Sequence, residues 1–387
     1  MDANGVGLWE AMSADRQRGE PMSTERALSR AALYAARPTL LLDGRRSPLA
    51  DELLLSAQVN EQREGPAWAE LRFANVSRSS ERGIGWAFET EEESPIGLGT
   101  ALVLSMGDES DPREIFQGTV SGLEAVFGPE HPPELIVLAE DPLQKARMKR
   151  RTRTHSETTL GDLVESLAAE MGLRARLSHL DHPVGTQVQI NETDLGFLRR
   201  LLERHDAWMR VSGGELHAAP WGEGEGSGEE ITLELHSQLK RVRLLADLAH
   251  QVSTISYSGW DAAQGEAIRV ESDGSLPLGP GSGRTGRHML EEAFGPRTEH
   301  AGAFLARDER EGRALVQAVH LERARRFVLV EGCTQGHPDL RVGSRVRIVG
   351  VGPRFENTYT VTRTCHRFDP QNGYETDFEA EGAYLGG

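Results

Sequence analysis

His179-Leu-Asp-His182 places three groups able to ligate a metal within one short stretch. A zinc site wants four such groups at a recognisable spacing. Nothing nearby completes the set, and no H-E-x-x-H occurs. His179, Asp181 and His182 are therefore expected in exposed or structural roles. Gly281-Ser-Gly283-Arg-Thr-Gly286 matches G-x-G-x-x-G, whose backbone N–H groups cradle a phosphate when a strand runs straight into them. No apolar strand precedes it and no Lys-Ser/Thr pair accompanies it, so a surface loop is expected. Glu91, Glu92 and Glu93 are adjacent carboxylates, whereas glycoside hydrolysis needs two held across a cleft with one raised by burial. Their place beside Ser94-Pro95 reads as an exposed loop, and the nucleophile elbow G-x-S-x-G is absent. Cys333 and Cys365 lack ligand-like spacing and are expected as buried thiols in strands. No catalytic, cofactor-binding or metal-ligating residue is assigned. The expectation is a chain that is not an enzyme and takes no cofactor.

A chain of 387 residues predicts two or three domains with ample core. Its 42 glycines and 6% aromatic content suit a turn-rich β protein better than a helical bundle. The net charge of −17 argues against direct nucleic-acid recognition, which needs a positive footprint. No apolar run is long enough to insert in a membrane and no leader opens the chain, so a soluble protein of the bacterial cytoplasm is expected. One basic strip, Lys145 to Arg153, has no interleaved aromatic for base stacking and reads as a solvated linker.

The elements fall into groups. Residues 1–36 are polar and weakly patterned, a flexible N-terminal arm with Met22 as an alternative start. Within 37–145, short alternating runs such as Trp68 to Phe73, Glu114 to Val126 and Glu134 to Ala139 are separated by turn residues, as in a first β-barrel. Residues 146–220 read as a small α/β domain. A helix from Thr158 to Met171 is closed by Gly172, and a second starts at Asn191-Glu-Thr-Asp194, with Leu195, Leu198, Leu201 and Leu202 on one face. A hairpin then turns at Gly213-Gly214. Residues 221–230 are an acidic linker. Residues 231–264 and 326–387 form a second β-barrel, interrupted by a loop and helix insertion at 265–325 whose helical pattern runs from about His300 with Phe304, Leu315, Val319 and Leu321. The fold class is α+β, mainly antiparallel β.

The two barrels look alike. Gly99-Thr-Ala-Leu-Val-Leu104 aligns with Gly343-Ser-Arg-Val-Arg-Ile348, and Thr119-Val-Ser121 with Thr360-Val-Thr362 when Phe127 is set on Phe368. A further strand closes each, Glu134 to Ala139 and Tyr374 to Ala380, which predicts an internal duplication.

The helix and hairpin of 189–220 resemble the core of the phage late control protein D family, through Glu192, Asp194, Phe197, Leu198, Leu201, Glu203, Trp208 and Gly213-Gly214. Ser258-Gly-Trp-Asp261 with Gly265-Glu-Ala-Ile268 is similar to the strand and turn that follow. Tyr359-Thr-Val-Thr362, Cys365-His-Arg-Phe368 and Gly373-Tyr-Glu-Thr376 are similar to the closing barrel, where His366 occupies a packing position. The resemblance runs from about Pro38 to Gly382. It implies two related tube-type barrels and a structural baseplate hub of a contractile tail or injection system, the VgrG-like portion without its spike. The implied assembly is a homotrimer adapting the hexameric inner tube, or a tube-initiator protein, to a trimeric spike protein, with baseplate wedge components around it and the tape measure protein or cargo as further partners. A tail-associated peptidoglycan hydrolase and a glycan- or receptor-binding tail module are the alternatives.

Overall fold

The computed structural model describes residues 37–386 except 64, 77–84, 89–94, 109–110, 130–131, 222–229, 273, 275 and 303–304. The N-terminal arm with Met22, the Glu91–Glu93 run, most of the acidic linker and Phe304 lie outside the described residues. The first region holds β1 (Thr39–Leu42), β2 (Arg45–Arg46), α1 (Pro48–Leu53), β3 (Leu54–Gln62), β4 (Trp68–Ala74), β5 (Ala101–Asp108), β6 (Asp111–Val126) and β7 (Glu134–Glu140). Next come α2 (Gln144–Arg147), β8 (Arg150–Thr159), α3 (Leu160–Met171), β9 (Arg174–Leu177), β10 (Pro183–Thr193), α4 (Asp194–Arg204), β11 (Ala207–Ser212) and β12 (Glu215–Pro220). The last region holds β13 (Ile231–Glu234), β14 (Leu239–Ala246), β15 (Thr254–Asp261), β16 (Glu266–Glu271), β17 (Arg284–Thr285), α5 (Gly286–Phe294), β18 (Thr298–His300) and α6 (Glu309–Arg325). It closes with β19 (Val328–Gln335), β20 (Arg345–Val349), β21 (Asn357–Asp369), β22 (Gly373–Gly382) and β23 (Tyr384–Leu385).

A 13-stranded, almost wholly antiparallel sheet is the frame, in the order β14-β19-β22-β21-β3-β4-β7-β6-β5-β1-β2, with β20 joined to β21 and β13 to β20. Period-two alternation puts Ala69, Leu71 and Phe73 of β4 and Leu102, Leu104 and Met106 of β5 into one core. Val328 and Val330 of β19, Val346 and Ile348 of β20, and Tyr359 and Val361 of β21 fill a second. Mainly antiparallel β with helices at its side is the architecture that the alternation predicts.

Two runs of strands in this sheet, β3-β4-β7-β6-β5 and β14-β19-β22-β21-β20, share order, sense and register. Thr119 faces Ala101 on one side and Glu140 on the other, and Thr360 faces Arg345 and Glu381 in the same way. Just beyond, both central strands are bulged, between Val120 and Gly122 and between Val361 and Arg363. The outer strands are bulged too, between Leu54 and Ser56 and between Leu239 and Arg241. The entering turns agree in their hydrogen bonds. Gly99 N donates to Val120 O and Gly343 N to Val361 O, both at 2.9 Å. Each glycine has a positive φ, 89° and 86°, that a side chain would strain. The runs diverge at the next strand, since β1 is antiparallel to β5 whereas β13 is parallel to β20.

The α/β unit follows its sequence signals closely. Thr159 and Asp162 form a reciprocal capping box on α3, and Gly172 ends it with φ 78°. Gly213 and Gly214, at φ 58° and 74°, make the tight turn between β11 and β12. The helix expected from Asn191 starts later. Asn191 sits in β10 with a left-handed φ of 46°, and Thr193 caps α4 by accepting from Gly196 N at 3.1 Å. The insertion is also more ordered than a loop and helix. β15 leaves the large sheet to pair with β16 and β18, and α6 packs on them through Leu315 and Val316. The boundary expected at 264/265 thus falls inside a hairpin. The helical pattern expected from about His300 begins at Glu309, because Asp308 supplies the cap, accepting from Glu311 N at 2.8 Å.

The basic strip is not a linker. Arg151 and Arg153 lie in β8 and pair with Glu170, Arg151 also with Asp194 at 3.3 Å, and Arg147 meets Glu140 at 2.6 Å. Charge that looked like a spacer instead joins β8 to α3 and α4.

A buried ion triad ties these parts together. Arg325, at the end of α6, holds Asp206 of the α/β unit through Nη1 at 2.5 Å and Nη2 at 2.6 Å. Its Nε donates to Glu381 of β22 at 3.0 Å, and Trp221 covers its guanidinium. Arg325→Met leaves Asp206 buried without its cation and Glu381 with only the longer 3.8 Å pair to Arg63. We expect a loss of roughly 3–5 kcal/mol in urea unfolding. A loss under about 1 kcal/mol, the range of an exposed pair, would show that the triad does not bind the units.

Candidate functional site: two unpaired strand edges

Strand β21 uses one edge twice. Its first residues, Asn357 to Thr360, pair with β20, and beyond the bulge Arg363 to Phe368 pair with β3. This second pairing welds the two runs of strands into one sheet. Ala57, Val59 and Glu61 of β3 face inward opposite Phe368, His366 and Thr364, and all six are buried. Arg341 reaches across to pair with Glu61, whose other oxygen accepts from Val342 N at 3.3 Å. Burial alone would raise the Glu61 carboxyl, but the charges of Arg341 and Arg210 and the hydrogen bond from Arg341 outweigh it and hold it at about 2. His366 is pushed down to about 3, first by burial and then by the Arg341 charge, so it stays neutral. Its Nδ1 lies 2.8 Å from the Tyr374 hydroxyl.

The corresponding stretch of β6 has no such cover. Gly122 to Val126 pair with β7 on one side only, and no described strand meets the other edge. β14, the counterpart of β3, ends the sheet, and past the Leu235–Leu239 bridge at its start no described strand meets its outer edge. Exposed apolar side chains gather on these two strands: Leu123 and Val126, the following Phe127, and Leu245. Phe127 is 59% exposed and touches the Trp86 ring edge-on, whereas its counterpart Phe368 is 4% exposed. Long apolar edges of this kind attract another strand.

The residues singled out for chemistry are scattered. His182 Nε2 lies 3.1 Å from His205 Nδ1, with burial lowering both and holding His205 at about 3; Asp181 and His179 do not join them. Among the described residues no group of three side chains is arranged to hold a metal. Packing accounts for Gly281, Gly283 and Gly286. A Cβ on Gly283 would strike Gly386, and one on Gly286 would strike Gln251 and Phe327. Asn357 Oδ1 accepts from Ser282 N at 3.0 Å and fills the loop, so the segment braces β23 instead of cradling an anion. Cys333 and Cys365 both lie opposite Asp377, on the two strands flanking β22. That separation is about two strand spacings, roughly 10 Å, too far for a disulfide. Burial raises both thiols, Cys365 to about 11. A cleft of about 870 Å³ beside His182, His205 and Arg307 has walls already paired, with Glu311 bonded to Arg204 and Arg307.

Glu61, Arg341, Asp206, Arg325 and Glu381 were not legible as a set. A signal existed for one of them: Glu61 falls in the inward phase set by Ala57 and Val59, where a charge demands a partner.

Residues 54–369 match the family model described as the Alg8 N-terminal domain. The chain belongs to this family. No curated protein matches the sequence. Among solved structures, this member is similar to the 43 kDa tail protein of prophage MuSo2 from Shewanella oneidensis, at 12% identity and TM-score 0.65, over 89% of this chain and 97% of that one. A tail protein from Neisseria meningitidis MC58 matches at 11% identity and TM-score 0.59, over 89% and 96%. An Escherichia coli component of the type VI secretion system, itself described as structurally similar to bacteriophage T4 tail proteins gp27 and gp5, matches at 14% and 0.56, over 90% and 79%. At such identities the likeness is one of fold, and that fold is shared by phage tails and type VI secretion.

His366 gives the joint a pH dependence. It is neutral when folded, with its pKa lowered from 6.5 to about 3, so the unfolded chain takes up the proton first. Stability from this group is complete above pH 6.5 and falls by about 1.4 kcal/mol per unit as pH drops toward 3. Urea unfolding of His366→Gln between about pH 6.5 and 4.5 should show a slope shallower than wild type by about that amount. An unchanged slope would place the proton uptake elsewhere.

Proposed function

We propose that this chain is a structural baseplate hub of a contractile tail or injection device, of the late control protein D kind. In this reading it acts as a homotrimer that adapts a six-fold inner tube to a three-fold spike. The carrying observation is the agreement in register between β3-β4-β7-β6-β5 and β14-β19-β22-β21-β20, bulges included. Strand patterning alone does not require bulges at equivalent positions, so we read the two runs as a duplication yielding two related tube-type barrels. Three chains around an axis then offer six similar β units to a hexamer. The α/β unit and the insertion occur once per chain, which keeps the other end truly three-fold. Closed rotational symmetry makes such a ring natural.

The likeness to tail proteins and to a type VI secretion component supports the same assignment. The partners this implies are a trimeric spike below, the tube or its initiator above, and wedge components around the rim. In this reading the chain's function lies in its interfaces.

Light scattering on the purified chain is the test. A mass three times the 42.5 kDa of one chain is expected. An obligate dimer would overturn the adaptor, because two chains carry four units and cannot imitate a hexagon. Turbidity of purified peptidoglycan should stay constant on addition of the protein; clearing abolished by a single carboxylate change would favour a hydrolase.

A further inference from the structure

The edges of β6 and β14 are equivalent in position to the edges of β21 and β3 that are paired inside the chain. Transferring the β3–β21 register to the equivalent strands pairs β14 of one copy with β6 of the next. Arg363↔Gln62 becomes Gly122↔Asp247, Cys365↔Asn60 becomes Glu124↔Leu245, and Phe368↔Ala57 becomes Phe127↔Val242. We propose that neighbouring copies of this chain join by antiparallel pairing of residues 122–127 of one copy with residues 242–247 of the next, so that the sheet runs on from copy to copy. The proposal rests on the trimeric hub reading and adds its contact surface.

Side-chain chemistry favours a second copy as the occupant. The inward positions of this joint would be Leu123, Ala125 and Phe127 from one copy and Val242, Leu244 and Ala246 from the other. All six are apolar, and all are at least partly exposed in the single chain. Their counterparts in the internal joint are buried. On the outer face Glu124 would stand diagonal to Arg243, an opposite-charge neighbour within reach. The buried Glu61–Arg341 pair has no equivalent, because Ala246 and Gly97 stand at those places. Apolar burial and backbone hydrogen bonds would hold this second joint, which suits a contact made after folding. A chain carrying both edges also closes on itself as a ring, leaving neither open.

Paired cysteines test the register. Glu124→Cys with Leu245→Cys, in one chain, should give covalent dimers and trimers with a short thiol cross-linker. Each single variant, and the out-of-register pair Glu124→Cys with Arg241→Cys, should give neither. Leu123→Asp, at a position 40% exposed in the single chain, should keep the wild-type circular dichroism spectrum and lose the trimer. A wild-type trimer in which only the out-of-register pair cross-links, or in which Leu123→Asp still assembles, overturns the joint and leaves the hub reading standing. A wild type that remains monomeric at tens of micromolar overturns both.

Discussion

Every part of the large sheet depends on how β21 divides one edge between two partners. At 13 residues it is long enough, roughly 40 Å, to serve two neighbours in succession. The bulge after Val361 separates the stretch that meets β20 from the stretch that meets β3. A backbone donor or acceptor left unpaired inside this joint would cost about 1–3 kcal/mol, so the register is strongly specified. Inward pairs at the joint then decide which side chains can stand there: Val59 against His366, and Ala57 against Phe368.

Two clusters of buried charge sit at boundaries. Glu61–Arg341 lies where the two runs of strands meet, and Asp206–Arg325–Glu381 where the α/β unit, α6 and β22 meet. Desolvation makes such groups poor sources of net stability compared with apolar residues of the same volume. What they impose is geometry, because any docking that fails to bring the partners together strands a charge.

The two runs of strands agree in backbone features and differ in side chains. Bulges, turns and register agree, while Glu61 stands opposite Ala246 in the comparison, Arg341 opposite Gly97, and His366 opposite Ala125. This is the outcome expected when hydrogen bonding fixes the ladder and only inward volume constrains the residue. The joint between β3 and β21 is charged and internal. Among the described residues the equivalent edges of β6 and β14 are apolar and meet no further strand.

Local signals in the sequence were sufficient for the elements whose determinants are local. The Gly213-Gly214 turn, the Gly172 stop and the leucine stripe of α4 depend on residues within a few positions of each other, and each appears where the spacing puts it. The alignment of Thr119-Val-Ser121 with Thr360-Val-Thr362 was also legible, because turn glycines and alternation bracket it. Other features were not. Arg151 and Arg153 look like a solvated run until Glu170, far along the chain, is folded against them. The glycines at 281–286 mimic a phosphate loop until Gly386 and Phe327 arrive beside them. Asn191 resembles a helix cap until it is placed in the irregular stretch of β10 beside β8, where its N–H donates to the Thr152 hydroxyl. Period and composition determine which face of an element is apolar. Only tertiary contact decides which edge remains without a neighbour, since every strand carries the same backbone groups on both sides.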